Sequence, residues 1–165
     1  MAELLLSDII SNLNQKVDAI YRHSTLIERY SAISRDYGEG IILTESEAHI
    51  LGYVCEMEEG TVTDLARYSF RTKGTMSKML KKLEEKGMVQ RVKREDNQKW
   101  IYVSPTEYGR RANAVHKAYD RAATSIMLED LQKTCTLEEI ESFYKVTQAR
   151  IEYLSRTHEK MLNKM

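Results

Sequence analysis

A mainly α fold with one small β-hairpin wing is what the 165-residue sequence predicts. Three observations carry this. Apolar residues recur at helical spacing at both ends of the chain, short capped helices follow one another in the middle, and directly after the last of these the hydrophobic period changes from 3.6 to 2. Seven glycines and a single proline are few breakers for this length, which suits long helices.

From Leu6 onward, Leu6, Ile9, Ile10, Leu13, Val17, Ile20 and Ile27 step by three and four, so residues 5 to 33 read as one long amphipathic helix. SRDYGEG, with Gly38 and Gly40, then breaks the pattern. Thr44 with Glu47 forms a capping box for a short helix carrying Ala48, Ile50, Leu51, Val54 and Met57, and Gly60 ends it. Thr61 with Asp64 repeats the box for a helix with Val62, Leu65 and Ala66. Thr72 caps a third, with Met76, Met79, Leu80 and Leu83 on one face and Gly87 placed for a left-handed C-terminal cap.

Val89, Arg91 and Lys93 then alternate with Gln90, Val92 and Arg94, and the polar turn EDNQ leads into Trp100, Ile101, Tyr102 and Val103, a β-hairpin. A helix from Thr106 places Ala112, Val115, Tyr119, Ala122 and Ile126 on a seam. Thr136 and Glu139 cap a last helix with Leu137, Ile140, Phe143, Thr147, Ile151, Leu154, His158 and Met161 at similar spacing. The sum is a winged helix-turn-helix lobe on a helical dimerisation base. Residues 1–40 form an N-terminal dimerisation helix, 41–105 the lobe, and 106–165 the C-terminal dimerisation helices.

Composition narrows the function. Hydrophobic residues make up 42% and charged residues 30%, ordinary for a soluble protein. MAELLLSDII lacks a basic leader and meets Asp8 at once, and no apolar run is long enough to span a bilayer, so no signal peptide and no membrane association are expected. Cys55 and Cys135 stand alone without CxxC spacing, which fits small buried hydrophobes in a reducing, cytoplasmic compartment.

The formal net charge of zero hides segregation. Residues 1–59 carry 4 Lys/Arg against 11 Asp/Glu, residues 60–105 carry 11 against 5, and residues 106–165 carry 10 against 9. A basic middle between acidic and neutral flanks is the footprint of one lobe meeting a polyanion.

Within RTKGTMSKMLKKLEEKG, a 100° step per residue turns Met76, Leu80 and Leu83 inward and Gly74, Lys78, Lys81 and Glu85 outward. Arg71, Thr72, Lys73, Gly74, Thr75, Ser77, Lys78 and Lys81 gather at the N-terminal half, the part of a recognition helix that reaches base edges. Gly74 adds no bulk against the groove, the hydroxyls bond to bases or phosphates, and the lysines neutralise phosphates or reach guanine. Arg91, Lys93, Arg94 and Lys99 around the hairpin turn add positive charge next to this helix. The expected partner is double-stranded DNA. The alternative is a winged-helix protein-interaction or dimerisation module whose basic face is merely solvated.

TESEAHILGYV, TVTDLARYSFRTKGTMSKMLKKLEEKGMVQR and VSPTEYG together resemble the MarR family of bacterial regulators over residues 40–109. The resemblance implies a homodimer whose first and last helices make the base. Its two winged lobes read a pseudo-palindromic site, usually in repression, until a small-molecule effector intervenes. It assigns Lys73 to Lys81 the recognition role and makes the turn around Asn97 and Lys99 the wing tip. Where the family usually has Asp-x-Arg, this chain has Asn97-Gln98-Lys99, and Pro105 stands where leucine is common. Lysine is a compact hydrated charge that suits a narrow A·T-rich groove less well than arginine.

No G-x-S-x-G elbow, H-E-x-x-H pair or phosphate-cradling glycine loop is present, so no enzyme activity and no cofactor are expected. The ten tyrosines sit at core-like positions, and some could line an effector cleft where the first, second and fifth helices meet. A zinc-responsive branch of the family draws ligands from the helix carrying "HIL" and from an i, i+4 histidine pair. His49, and His116 with Asp120, match it in part. With the second histidine replaced by aspartate, packing or polar contacts are the expected role of these residues, and no metal is assigned.

Overall fold

A computed structural model gives the fold. It describes residues 7, 10, 11, 13–94 and 97–162, with backbone alone for residues 94, 97–100 and 159–162. By contacts the chain divides into two compact units, Met1–Tyr119 and Asp120–Met165.

The first unit contains α1 (Leu13–Ser31), β1 (Ser34–Asp36), β2 (Ile42–Thr44), α2 (Glu45–Met57), β3 (Gly60–Thr61), α3 (Val62–Tyr68), α4 (Lys73–Glu85), β4 (Val89–Arg94), β5 (Asn97–Pro105) and the first half of α5 (Glu107–Leu131). The rest of α5 and α6 (Leu137–Leu162) make the second. The fold class is therefore as expected: mostly helical with a small antiparallel wing.

The helix read over residues 5–33 is seen as α1, which ends at Ser31; its expected start lies outside the described residues. SRDYGEG is more than a break. Its first three residues form β1, which pairs antiparallel with β2 in the register Ser34↔Thr44, Arg35↔Leu43 and Asp36↔Ile42. Three-residue strands are too short to show a period of two, which is why the pattern missed them. β3 escaped for the same reason; it joins the wing through Gly60↔Val103 and Thr61↔Tyr102, giving the order β3-β5-β4.

The core of the first unit lies under α2, α3 and α4. Ile41, Leu43, Ile50, Leu51, Val54, Leu65, Met76, Leu80, Leu83 and Val103 are fully buried. Each large apolar side chain so removed from water contributes about 1.5–3 kcal/mol. Both expected capping boxes are formed, Thr44 with Glu47 and Thr61 with Asp64.

A clasp closes the wing at its root. The Thr106 amide donates to Met88 O at 3.1 Å, and the Thr106 hydroxyl donates to Gly87 O at 2.7 Å and accepts from the Gly109 amide at 3.0 Å. Gly87 has φ +71°, the left-handed cap expected of it. Gly109 is required by proximity, because a Cβ there would sit 1.9 Å from Met88 O.

In the second unit Thr136 and Glu139 cap α6 reciprocally, the Glu139 amide donating to Thr136 Oγ1 at 3.2 Å and the Thr136 amide to Glu139 Oε2 at 2.8 Å. On α6, Phe143, Ile151 and Leu154 are exposed, as are Leu13, Val17, Ile20 and Ile27 on α1 in the first unit. Neither helix has a buried residue among those described.

Candidate nucleic-acid interface

The candidate interface comprises α3, the turn after it, α4 and the wing. α3 ends in a Schellman motif: the Phe70 amide donates to Arg67 O at 3.3 Å and the Arg71 amide to Ala66 O at 2.9 Å. The residue at its left-handed position is Phe70, with φ +54°. Glycine is usual there; a bulky residue at positive φ is strained, at a cost of about 1–3 kcal/mol. Thr72 then caps α4, its hydroxyl accepting from the Thr75 amide at 3.1 Å and lying 2.9 Å from the Thr75 hydroxyl. Both hydroxyls are thus partly engaged in holding the start of the helix.

α4 divides its faces as the sequence predicted. Met76, Leu80 and Leu83 are fully buried, while Arg71, Thr72, Lys73, Gly74, Thr75, Lys78 and Lys81 are exposed. Lys81 has only a loose i, i+4 pairing with Glu85 at 3.7 Å. Ser77 is half-buried, and its carbonyl accepts from the Arg91 guanidinium at 3.3 Å.

Arg91 also pairs with Glu84 at 3.1 Å. The structure therefore ties Arg91 to α4, joining wing to helix, while Lys93 is exposed on the outer half of β4. Arg94 pairs with Asn97 where the two wing strands meet, with a register irregularity between Lys93 and Arg94. The side chains of Arg94, Asn97 and Lys99 lie outside the described ones, as do residues 95 and 96 of the turn.

The C-terminal end of α4 is anchored by a residue that the sequence pattern passed over. Lys86 donates to Glu47 Oε2 at 2.8 Å and to Ile42 O at 3.1 Å. Burial alone would push the Glu47 carboxyl up. The hydrogen bonds from Lys86 and the Thr44 amide, with the charges of Lys86 and Lys82, outweigh it and hold Glu47 below the usual carboxylate value. Phe70 was passed over too. Its signal was a large apolar residue between a helix end and the next N-cap, where turn chemistry favours glycine or asparagine.

His49 is exposed and His116 buried, their rings 5.3 Å apart and nearly perpendicular. Asp120 lies on α5 at the start of the second unit. His116 also packs edge-on to Tyr37 at 4.8 Å, and His49 lies 3.8 Å from Glu45. His49 and His116 offer two imidazoles, two of the four positions a tetrahedral ion takes. Cys55 is half-buried, and burial pushes its thiol up. No helix among the described residues is long and apolar enough to cross a membrane.

The MarR family model matches residues 43–101, from β2 through the wing. A Bacillus subtilis protein described as the uncharacterized HTH-type transcriptional regulator YhjH is 33% identical over 88 residues, which is 53% of this chain and 50% of that protein. The chain thus matches about half the length of this relative. Streptococcus pneumoniae FabT, solved in complex with DNA, shares the fold at 21% identity and TM-score 0.62, over 88% of this chain and 97% of that one. Lactococcus lactis ZitR, a zinc-responsive MarR family member, does so at 20% identity and TM-score 0.59, over 88% and 99%. The family is one of transcriptional regulators, not enzymes. Residues 43–101 of this chain are thus similar to the MarR family, and the chain shares the winged helix-turn-helix fold of those solved structures.

Proposed function

We propose that the chain is a sequence-specific, double-stranded DNA-binding transcriptional regulator, a cytoplasmic, bacterial, ligand-responsive repressor that acts as a homodimer on a pseudo-palindromic site. The observation that carries the reading is α4: Met76, Leu80 and Leu83 are fully buried while Lys73, Lys78 and Lys81 stand exposed, so the helix is fixed by one face and offers cations on the other. Its role is recognition, with Arg71 to Ser77 at its start and Lys93, Arg94, Asn97 and Lys99 on the wing against flanking phosphates and the minor groove. Arg91 contributes by holding the wing to α4. Titration of the full chain against genomic DNA at two salt concentrations, then selection of sites from random duplexes, tests this. Salt-sensitive binding that selection resolves into a pseudo-palindrome is expected; no binding at low salt leaves a protein-interaction module instead.

The exposed apolar residues of α1 and α6 support assignment of residues 1–40 and 106–165 to dimerisation and 41–105 to DNA. A face of this kind is covered by a symmetric partner in a two-fold dimer. Light scattering should give twice the 19.2 kDa chain mass at micromolar concentration, and a stable monomer overturns the dimer.

A second reading concerns the signal. The pairing of the His49 and His116 rings supports a divalent metal ion as effector, and ZitR is zinc-responsive. Zinc should raise the melting temperature of the chelator-treated protein and not that of H49A; equal melting with and without zinc leaves these residues to packing and the effector to a small molecule.

A further inference from the structure

Phe70 combines two unfavourable features that folding does not require. Its backbone sits at φ +54°, where a side chain is crowded and glycine is at ease, and the residue is 69% exposed. The Schellman hydrogen bonds made by the Phe70 and Arg71 amides belong to the backbone, and glycine would make them equally well. Strain kept at a position where a simpler residue serves the fold better points to a use outside the fold.

Position says what the use is. Phe70 lies two residues before Thr72, the cap of α4, and next to exposed Arg71. The turn therefore carries an exposed apolar residue directly before the run of exposed residues Arg71 to Thr75, which faces the duplex in the proposed DNA-binding role, on which this inference rests. Phosphates offer nothing to a phenyl ring. The apolar groups a major groove presents are thymine methyls, which phenylalanine contacts favourably.

We propose that Phe70 is a further specificity-determining residue, whose ring meets thymine C5-methyl groups flanking the bases read by α4. The fold tolerates the left-handed phenylalanine because Schellman bonds fix the turn, and the strain sets the ring in place before DNA arrives. This lowers the ordering cost of the contact.

The test uses full-length protein, the F70G variant and the K78E/K81E double variant. The DNA is a duplex selected with the wild type, prepared once with thymine and once with deoxyuridine. F70G should melt about 2–4 °C higher than wild type as strain is relieved. It should bind the thymine duplex ~10-fold more weakly. Deoxyuridine should weaken the wild type by about 5- to 10-fold and F70G far less. If K78E/K81E loses binding while F70G binds as wild type, or if deoxyuridine weakens both equally, the Phe70 contact is wrong and the DNA reading stands. If the wild type binds no duplex, both fall.

Discussion

Lys86 Nζ lies 2.8 Å from Glu47 Oε2, so the C-cap residue of α4 donates to the same carboxylate that completes the capping box of α2. One oxygen thereby serves two helices, accepting from the Thr44 amide at 3.0 Å as well. The pair fixes where the basic helix ends relative to the body of the lobe. Lys86→Met leaves Glu47, largely buried, short of its cation, and should cost about 1–3 kcal/mol in denaturant unfolding. A midpoint unchanged from wild type would mean that water replaces the ammonium.

The same carboxylate makes stability depend on acidity. Glu47 is held below its ordinary value of 4.5 in the folded chain, so its contribution is fully present above that value and is lost as pH falls through the lower folded value. Denaturant midpoints should drop below about pH 4.5 in the wild type, and less steeply in Glu47→Gln, which has no proton to take up. Parallel pH profiles for the two would remove Glu47 from the account.

Gly109 meets the backbone of Met88 with no room for a methyl group, the clash being 1.9 Å from a carbonyl that cannot swing aside. Gly109→Ala should cost at least about 3 kcal/mol, the upper range for overpacking. Thermal melting and solubility of the variant check this directly, and a melting temperature within about 1 °C of wild type contradicts the close approach.

Reversing the cations of α4 should leave the fold alone. Lys78 and Lys81 point away from the buried Met76, Leu80 and Leu83, so Lys78→Glu and Lys81→Glu should melt like wild type. Each should flatten the plot of log affinity against log salt by about 0.9 for every phosphate that the chain no longer neutralises. An unchanged slope in both would move the DNA surface elsewhere.

Replacing Cys55 and Cys135 by serine should leave DNA binding and its regulation nearly unchanged. Burial raises the Cys55 thiol, so little thiolate is available for oxidation at neutral pH. Peroxide that releases the wild type from DNA while the double serine variant stays bound would establish a redox switch instead.

Much of this architecture was legible because it rests on local rules. The boxes at Thr44, Thr61 and Thr136, the cap at Thr72, the left-handed Gly87 and the buried face of α4 each need only a few neighbouring residues, and each is found. What escaped is non-local or too short. β1 and β3 take their identity from partners elsewhere in the chain, and the Lys86 to Glu47 pair spans 39 residues. The engagement of Arg91 with Glu84 and Ser77 O also depends on how the wing folds back. In sequence it is one more arginine among wing cations.

The clasp between Gly87, Met88 and Thr106 has a consequence for change over time. Because the chain leaves α4 and enters α5 through hydrogen bonds between adjacent segments, the hairpin is a closed excursion that returns to its point of departure. Lengthening a closed loop costs only a slowly growing entropy, roughly 0.6 kcal/mol per doubling. Residues can therefore be added or removed at the distal end of the hairpin without moving either helix. Insertion libraries at that end should find tolerated lengths, while the frame that holds α4 stays as it is.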